Sequence, residues 1–198
     1  MPIQIQPNIM ATEGPNSPSA NAEDTSVGNQ SWVSPGNVYA SDGAQASRSG
    51  LNDKPKGSYY IVATGFGFAI PTGATIDGIT AHIEKASSRS NRVYDLSVKL
   101  VIGGTVSGNE KASGTAWATS DTVSAYGGAA DLWGLTPSQS DVNSSNFGIA
   151  VAAYSTDAED ATIDHITLTV DYTAGAAGPA GKNKVKYNLF KPTFVRGS

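Results

Sequence analysis

Every strongly patterned stretch of this chain has period two, and none carries the 3.6-residue period of an amphipathic helix. The organising stretch is residues 59–85. Phe66, Phe68 and Ile70 alternate there with Gly65, Gly67 and Ala69, which predicts a strand with one bulky face and one nearly bare face. Residues 71–74 (PTGA) supply a fixed φ and a permissive glycine, so a tight corner is expected before Ile79, Ala81 and Ile83 start a second strand. Three further alternations follow. Tyr94, Leu96, Val98, Leu100 and Ile102 alternate with Asp95, Ser97 and Lys99; Phe147, Ile149, Val151 and Ala153 with small residues; Ile166, Leu168, Val170 and Tyr172 with Thr167, Thr169 and Asp171. Together they predict an all-β, antiparallel, jelly-roll-like β-sandwich. Its expected core is Phe66, Phe68, Ile79, Ile83, Leu96, Val98, Leu100, Phe147, Ile149, Val151, Leu168 and Val170.

The remaining segments set the boundaries. Residues 1–30 hold four prolines among Asn, Ser, Glu and Gln, too little apolar surface for a core, and read as an extended N-terminal arm. Its Ile3, Ile5 and Ile9 are spaced so that the arm can be ordered by lying on a neighbour. The sandwich is expected over residues 31–174, starting at Trp32. Within it, 37–46 reads as a short strand region broken by a turn, 105–111 as a weak strand, and 117–133 as a long loop anchored by aromatics. Residues 175–181 (GAAGPAG) read as a linker into a basic, apolar tail over 182–198.

Charge divides the chain unevenly. Five of the 13 Lys and Arg residues lie at or beyond Lys182 and none of the 17 acids does, so the rest of the chain carries −9 against −4 for the whole. In the tail, Val185, Tyr187 and Leu189 alternate with Lys186 and Asn188, and Phe190 follows, a strand pattern that asks for a sheet edge to join. The lysines lack interleaved base-stacking aromatics, so nucleic acid is not the expected partner. No apolar run reaches the length that spans a bilayer and no signal-peptide pattern opens the chain, which predicts a protein made in a cytoplasm with no membrane partner. With no cysteine, stability has to come from packing, pairing or assembly.

Chemistry is sparse. His82 and His165 fall at outward strand positions and lack a third ligand for zinc. The acids Asp157, Glu159, Asp160 and Asp164 do not have the spacing of a calcium loop, so no metal or other cofactor is expected. No serine-hydrolase elbow and no phosphate-loop motif is present, and the chain is not expected to be an enzyme. Trp117, Tyr126 and Trp133 lie around one expected loop and form the alternative candidate, a platform on which a sugar could stack.

The succession NVYASDG (37–43), ATGFGFAIPTGATIDGI (63–79), YGGAADLWGL (126–135), DVNSSNFGI (141–149) and IDHITLTVDYT (163–173) resembles a β-sandwich family of tailed-phage and prophage genomes whose members are virion-associated structural proteins. The resemblance spans residues 31–173 with the order of segments kept, and the segments are architectural, with no catalytic residue to carry over. It implies a capsid decoration (cement) protein or the capsid-bound base of a head fibre, located in the virion. The implied partners are the major capsid protein or other virion proteins and further copies of this chain. The alternative function is a carbohydrate-binding adhesion module of a tail or fibre.

Overall fold

The computed structural model describes residues 9–175. Strands make up 47 % of the structure and helix 5 %. In chain order the elements are β1 (Met10–Asn16), β2 (Ala20–Asp24), a 3-10 turn (Pro35–Val38), β3 (Ala46–Arg48), β4 (Tyr60–Thr64), β5 (Thr75–Ser87), β6 (Val93–Ile102), β7 (Thr105–Ser107), β8 (Thr122–Gly128), α1 (Gln139–Val142), β9 (Gly148–Ser155) and β10 (Ala161–Thr173). One sheet runs β1-β10-β5-β8, with β3 also on β10; the other runs β2-β4-β9-β6-β7, and every strand-to-strand ladder is antiparallel.

Setting aside the short inserts β2 and β3, eight strands remain. The first pairs with the last (β1 with β10), the second with the seventh (β4 with β9), the third with the sixth (β5 with β8) and the fourth with the fifth (β6 with β7). That is the pairing of one long hairpin whose closed end is the β6–β7 turn at Gly103 and Gly104. Rolling the hairpin on itself adds the contacts of β10 with β5 and of β9 with β6, and the product is a jelly roll. Because the first and last strands are antiparallel partners, the start of β1 and the end of β10 lie side by side.

The core lies between the sheets. Eleven of the twelve expected core residues are buried in it, and the exception, Leu96, is half-buried on the outer side of the β6 sheet. A bulge between Asp95 and Ser97 causes that difference: Asp95 faces Ala153 and Ser97 faces Ala152, so one extra residue inverts the phase of β6. Val93 and Asp95 point inward before the bulge and Val98 and Leu100 after it. Glu110 Oε1 accepts the Val98 N–H at 2.6 Å beside the bulge. On the bare side of β9, Ala150 and Ala152 are covered by a second apolar cluster with Tyr60, Val62 and Val101, which buries this strand on both faces.

Four sequence expectations change. Residues 37–46 are not a strand region: a 3-10 turn over Pro35–Val38 and bends lead up to β3 at Ala46. Residues 65–70 are not a strand: Gly65 and Gly67 adopt φ of +74° and +69°, and the backbone of Ile70 bonds to the Asn143 side chain instead of a ladder, its N–H at 2.8 Å and its C=O at 2.9 Å. Phe66, Phe68 and Ile70 still enter the core, because alternating left-handed glycines preserve a one-in, one-out order without strand pairing. The stretch 117–133 is not all loop, since β8 runs through it as an edge strand, half-exposed and therefore without a clean alternation. Finally, residues 10–24 are not an arm laid on a neighbour. They form β1 and β2 inside this chain's own sheets, so the sandwich begins at residue 10, not 31.

Candidate functional site

The rolled hairpin brings the two described ends of the chain together at one pole. Met10 lies opposite Thr173, which lies opposite Thr75, and the Ala174 N–H donates to the Ile9 carbonyl at 2.9 Å. Gly175 packs so closely on the 71–74 corner that a Cβ there would sit 2.4 Å from the Gly73 carbonyl oxygen. Ile9 and Met10 are 61 % and 76 % exposed at this pole, and a shallow recess lined by Ala74, Ile76, Leu132 and Pro137 opens nearby. Of the residues assigned to partner binding, Ile9 is therefore exposed at the pole. Ile3, Ile5, Val185, Tyr187, Leu189 and Phe190 lie outside the described residues.

The three aromatics proposed as a sugar platform are interior. Trp117, Tyr126 and Trp133 are 3 %, 5 % and 0 % exposed, so none presents a face to a glycan. Trp133 anchors its loop by donating its indole N–H to the Ile79 carbonyl at 2.9 Å. Trp117 and Tyr126 have a different task. They close a polar cluster between the sheets, around Lys85 of β5 and Asp95 of β6, which are 3 % and 1 % exposed. Lys85 Nζ lies 2.6 Å from Asp95 Oδ1 and donates to the Tyr126 hydroxyl. Asp95 Oδ1 also accepts the Trp117 indole N–H at 2.8 Å. Its Oδ2 accepts the Tyr126 hydroxyl at 2.9 Å, the Ser113 N–H at 2.9 Å and the Ser113 hydroxyl at 3.1 Å. The ammonium also stands 4.6 Å from the Trp117 ring centre and 5.0 Å from that of Tyr126. Burial pushes the Lys85 ammonium below its ordinary range, with Asp95 opposing, while burial and the neighbouring carboxylate raise the Tyr126 phenol.

This cluster escaped the sequence reading. The phase of Ile79, Ala81 and Ile83, carried two residues further, does place Lys85 on the inner face, and that was the available signal. Asp95 gave none, because its inward turn depends on the β6 bulge.

The other candidates are engaged locally. His82 and His165 project from the outer face of the first sheet, as expected, opposite Thr167 and Glu84, and His165 Nε2 lies 2.8 Å from the Ser17 hydroxyl. In the acidic loop, Asp157 faces Arg89 at 3.7 Å and Arg92 at 3.8 Å, Glu159 accepts the Ser88 hydroxyl, and Asp160 accepts the Gly50 N–H. Among the described residues no group of three or more His, Asp or Glu is placed to hold a metal ion. No family model matches the chain, and neither a curated protein nor a solved structure matches it significantly.

Proposed function

We propose that this chain is a phage virion structural protein, a capsid decoration protein or head-fibre base that stabilises the particle through contacts between subunits. The observation that carries this reading is the convergence of the two described ends, at Ile9 and Gly175, on one pole of a jelly roll. A body whose two ends leave side by side can hold a surface with both while its opposite side faces outward. The tail sequence carries positive charge and a strand pattern, and the rest of the chain is acidic. Addition of residues 184–190 to the sheet edge of a capsid subunit or of another copy would satisfy their backbone groups. Burial of Val185, Tyr187, Leu189 and Phe190 would contribute about 1.5–3 kcal/mol each before ordering costs. Repeated over a symmetric shell, such contacts add by avidity.

The test is deletion of residues 182–198. The truncated protein should keep its β circular dichroism and its melting transition but lose binding to particles of the phage that encodes it, and the binding of the full chain should weaken with salt. Equal particle binding by the truncated and full chains overturns the reading. Copy number in purified particles then separates decoration, with many copies, from a fibre base, with few.

A further inference from the structure

We propose that Lys85 and Asp95 condense to an intramolecular isopeptide bond, Lys85 Nζ to Asp95 Cγ, which covalently joins the two sheets of the sandwich. The geometry points to it. A primary amine and a carboxylate face each other at 2.6 Å in a closed site whose walls are Trp117, Tyr126 and the Ser113 backbone. Held this way, the two groups have the effective concentration of a preorganised intramolecular reaction, about 10⁵ M or more.

The step needs no external reagent. A proton passes from Nζ to Oδ1 along their hydrogen bond, leaving a neutral amine beside a neutral acid. Burial of the Lys85 ammonium favours its giving up that proton. The nitrogen lone pair then attacks Cγ. Negative charge gathers on Oδ2, where three donors already point: the Ser113 N–H, the Ser113 hydroxyl and the Tyr126 hydroxyl. A second proton moves from the nitrogen to Oδ1, the Cγ–Oδ1 bond breaks, and Oδ1 leaves as water past the Trp117 N–H that bonds to it. The ammonium and carboxylate become one amide and one water, so atoms and charge balance. The product replaces a desolvated ion pair with a neutral group whose oxygen keeps all three donors. Tyr126 touches both reacting groups, as donor to Oδ2 and acceptor from Nζ, and is the catalytic residue. In a chain without cysteine, the amide supplies the inter-sheet staple that a disulfide would.

Intact-mass spectrometry of the denatured full-length protein is the test. The folded protein should be one water lighter than its sequence. After proteolysis, fragmentation should show a branched peptide joining the segment that holds Lys85 to the one that holds Asp95. Lys85→Met and Asp95→Ala should each restore the sequence mass, less only the substitution, and Tyr126→Phe should slow bond formation by about a hundredfold, read as the time course of the one-water loss in freshly synthesised protein. A cooperatively folded wild-type protein that retains its full sequence mass overturns the proposal, whether or not the variants fold. Bond formation at an undiminished rate in Tyr126→Phe overturns the role of Tyr126.

Discussion

Two lysine–aspartate pairs in this molecule have the same 2.6 Å separation, and little else about them is alike. Lys85–Asp95 lies between the sheets, with side chains 4 % and 0 % exposed; Lys111–Asp131 lies near the surface, at 26 % and 34 %. Each stands near an aromatic ring, Lys85 at 4.6 Å from Trp117 and Lys111 at 5.8 Å from Trp133. Distance therefore does not rank them; the surroundings do. At the surface, water solvates either charge if the partner is lost, and the pair is worth at most about 1 kcal/mol. Between the sheets nothing replaces the partner, so each group commits the other.

The largest expected effect follows directly. Asp95→Ala leaves Lys85 facing no carboxylate and unable to condense, and removes the acceptor of Trp117, Tyr126 and Ser113 as well, so the loss in urea unfolding should be at least about 3–5 kcal/mol. Asp131→Ala should cost about 1 kcal/mol or less. Comparable losses for the two would show that burial is not what separates the pairs. Replacing both buried partners, Lys85→Met with Asp95→Leu, should recover part of the loss, because the uncompensated charge is gone. Recovery stays incomplete, since the Trp117 and Tyr126 donors then lack an acceptor at about 1–3 kcal/mol each. The apolar part of the same core gives the scale for a tolerated change: Leu168→Met should cost about 1 kcal/mol.

The comparison also shows what the sequence could convey. The alternations that cross the core without interruption, Ile79 to Ile83, Phe147 to Val151 and Ile166 to Val170, were legible because period two maps directly onto two faces. Legibility failed wherever one residue shifted the phase or replaced it. The bulge after Asp95 turned a residue read as outward into the centre of the buried cluster, and a second bulge, between Ile163 and His165, puts Asp164 inside at 3 % exposure. Gly65 and Gly67 gave an apparent strand its alternation through left-handed turns. The N-terminal strands were hidden for another reason. Their pairing, Met10 with Thr173 and Ala20 with Thr64, is set by distant partners and by the roll of the hairpin, and β1 and β2 bury too little themselves to leave a pattern. Trp117 and Trp133 match the expectation of aromatic anchors over the alternative of an exposed platform: both are buried, and their indoles donate to Asp95 and to the Ile79 carbonyl.

Salt sharpens the contrast between the pairs. Raising ionic strength to about 1 M shortens the screening length to roughly 3 Å, which acts on charges that water and ions can reach. In double-mutant cycles the coupling of Lys111 with Asp131 should fall toward zero, while that of Lys85 with Asp95, enclosed between the sheets and joined as an amide once condensed, should stay unchanged. A buried coupling that faded with salt would mean that solvent enters between the sheets.

The smallest effect is in acid, and it falls on the surface pair, at Asp131. The hydrogen bond from Lys111, and after it the one from the Trp133 N–H, hold the Asp131 carboxyl below its ordinary value of 3.8. Between that lowered value and 3.8 the unfolded chain binds more protons at this group than the folded one, so stability rises with pH across the window. The contribution is complete above the unfolded value and is lost as pH falls through the folded one. Asp131→Asn removes this component, and the stability of the variant should fall less steeply than that of the wild type over the acid range. Asp141, lowered by the Ser138 hydroxyl and N–H at the start of α1, acts in the same direction and remains in the variant, so the slope should be reduced and not abolished. The difference should be well under 1 kcal/mol, because this carboxylate is about a third exposed and water screens it. Parallel acid-unfolding curves for wild type and Asp131→Asn would mean that the Lys111 contact adds nothing in solution. A 2.6 Å separation at the surface would then carry no energetic information, and burial alone would set the two pairs apart.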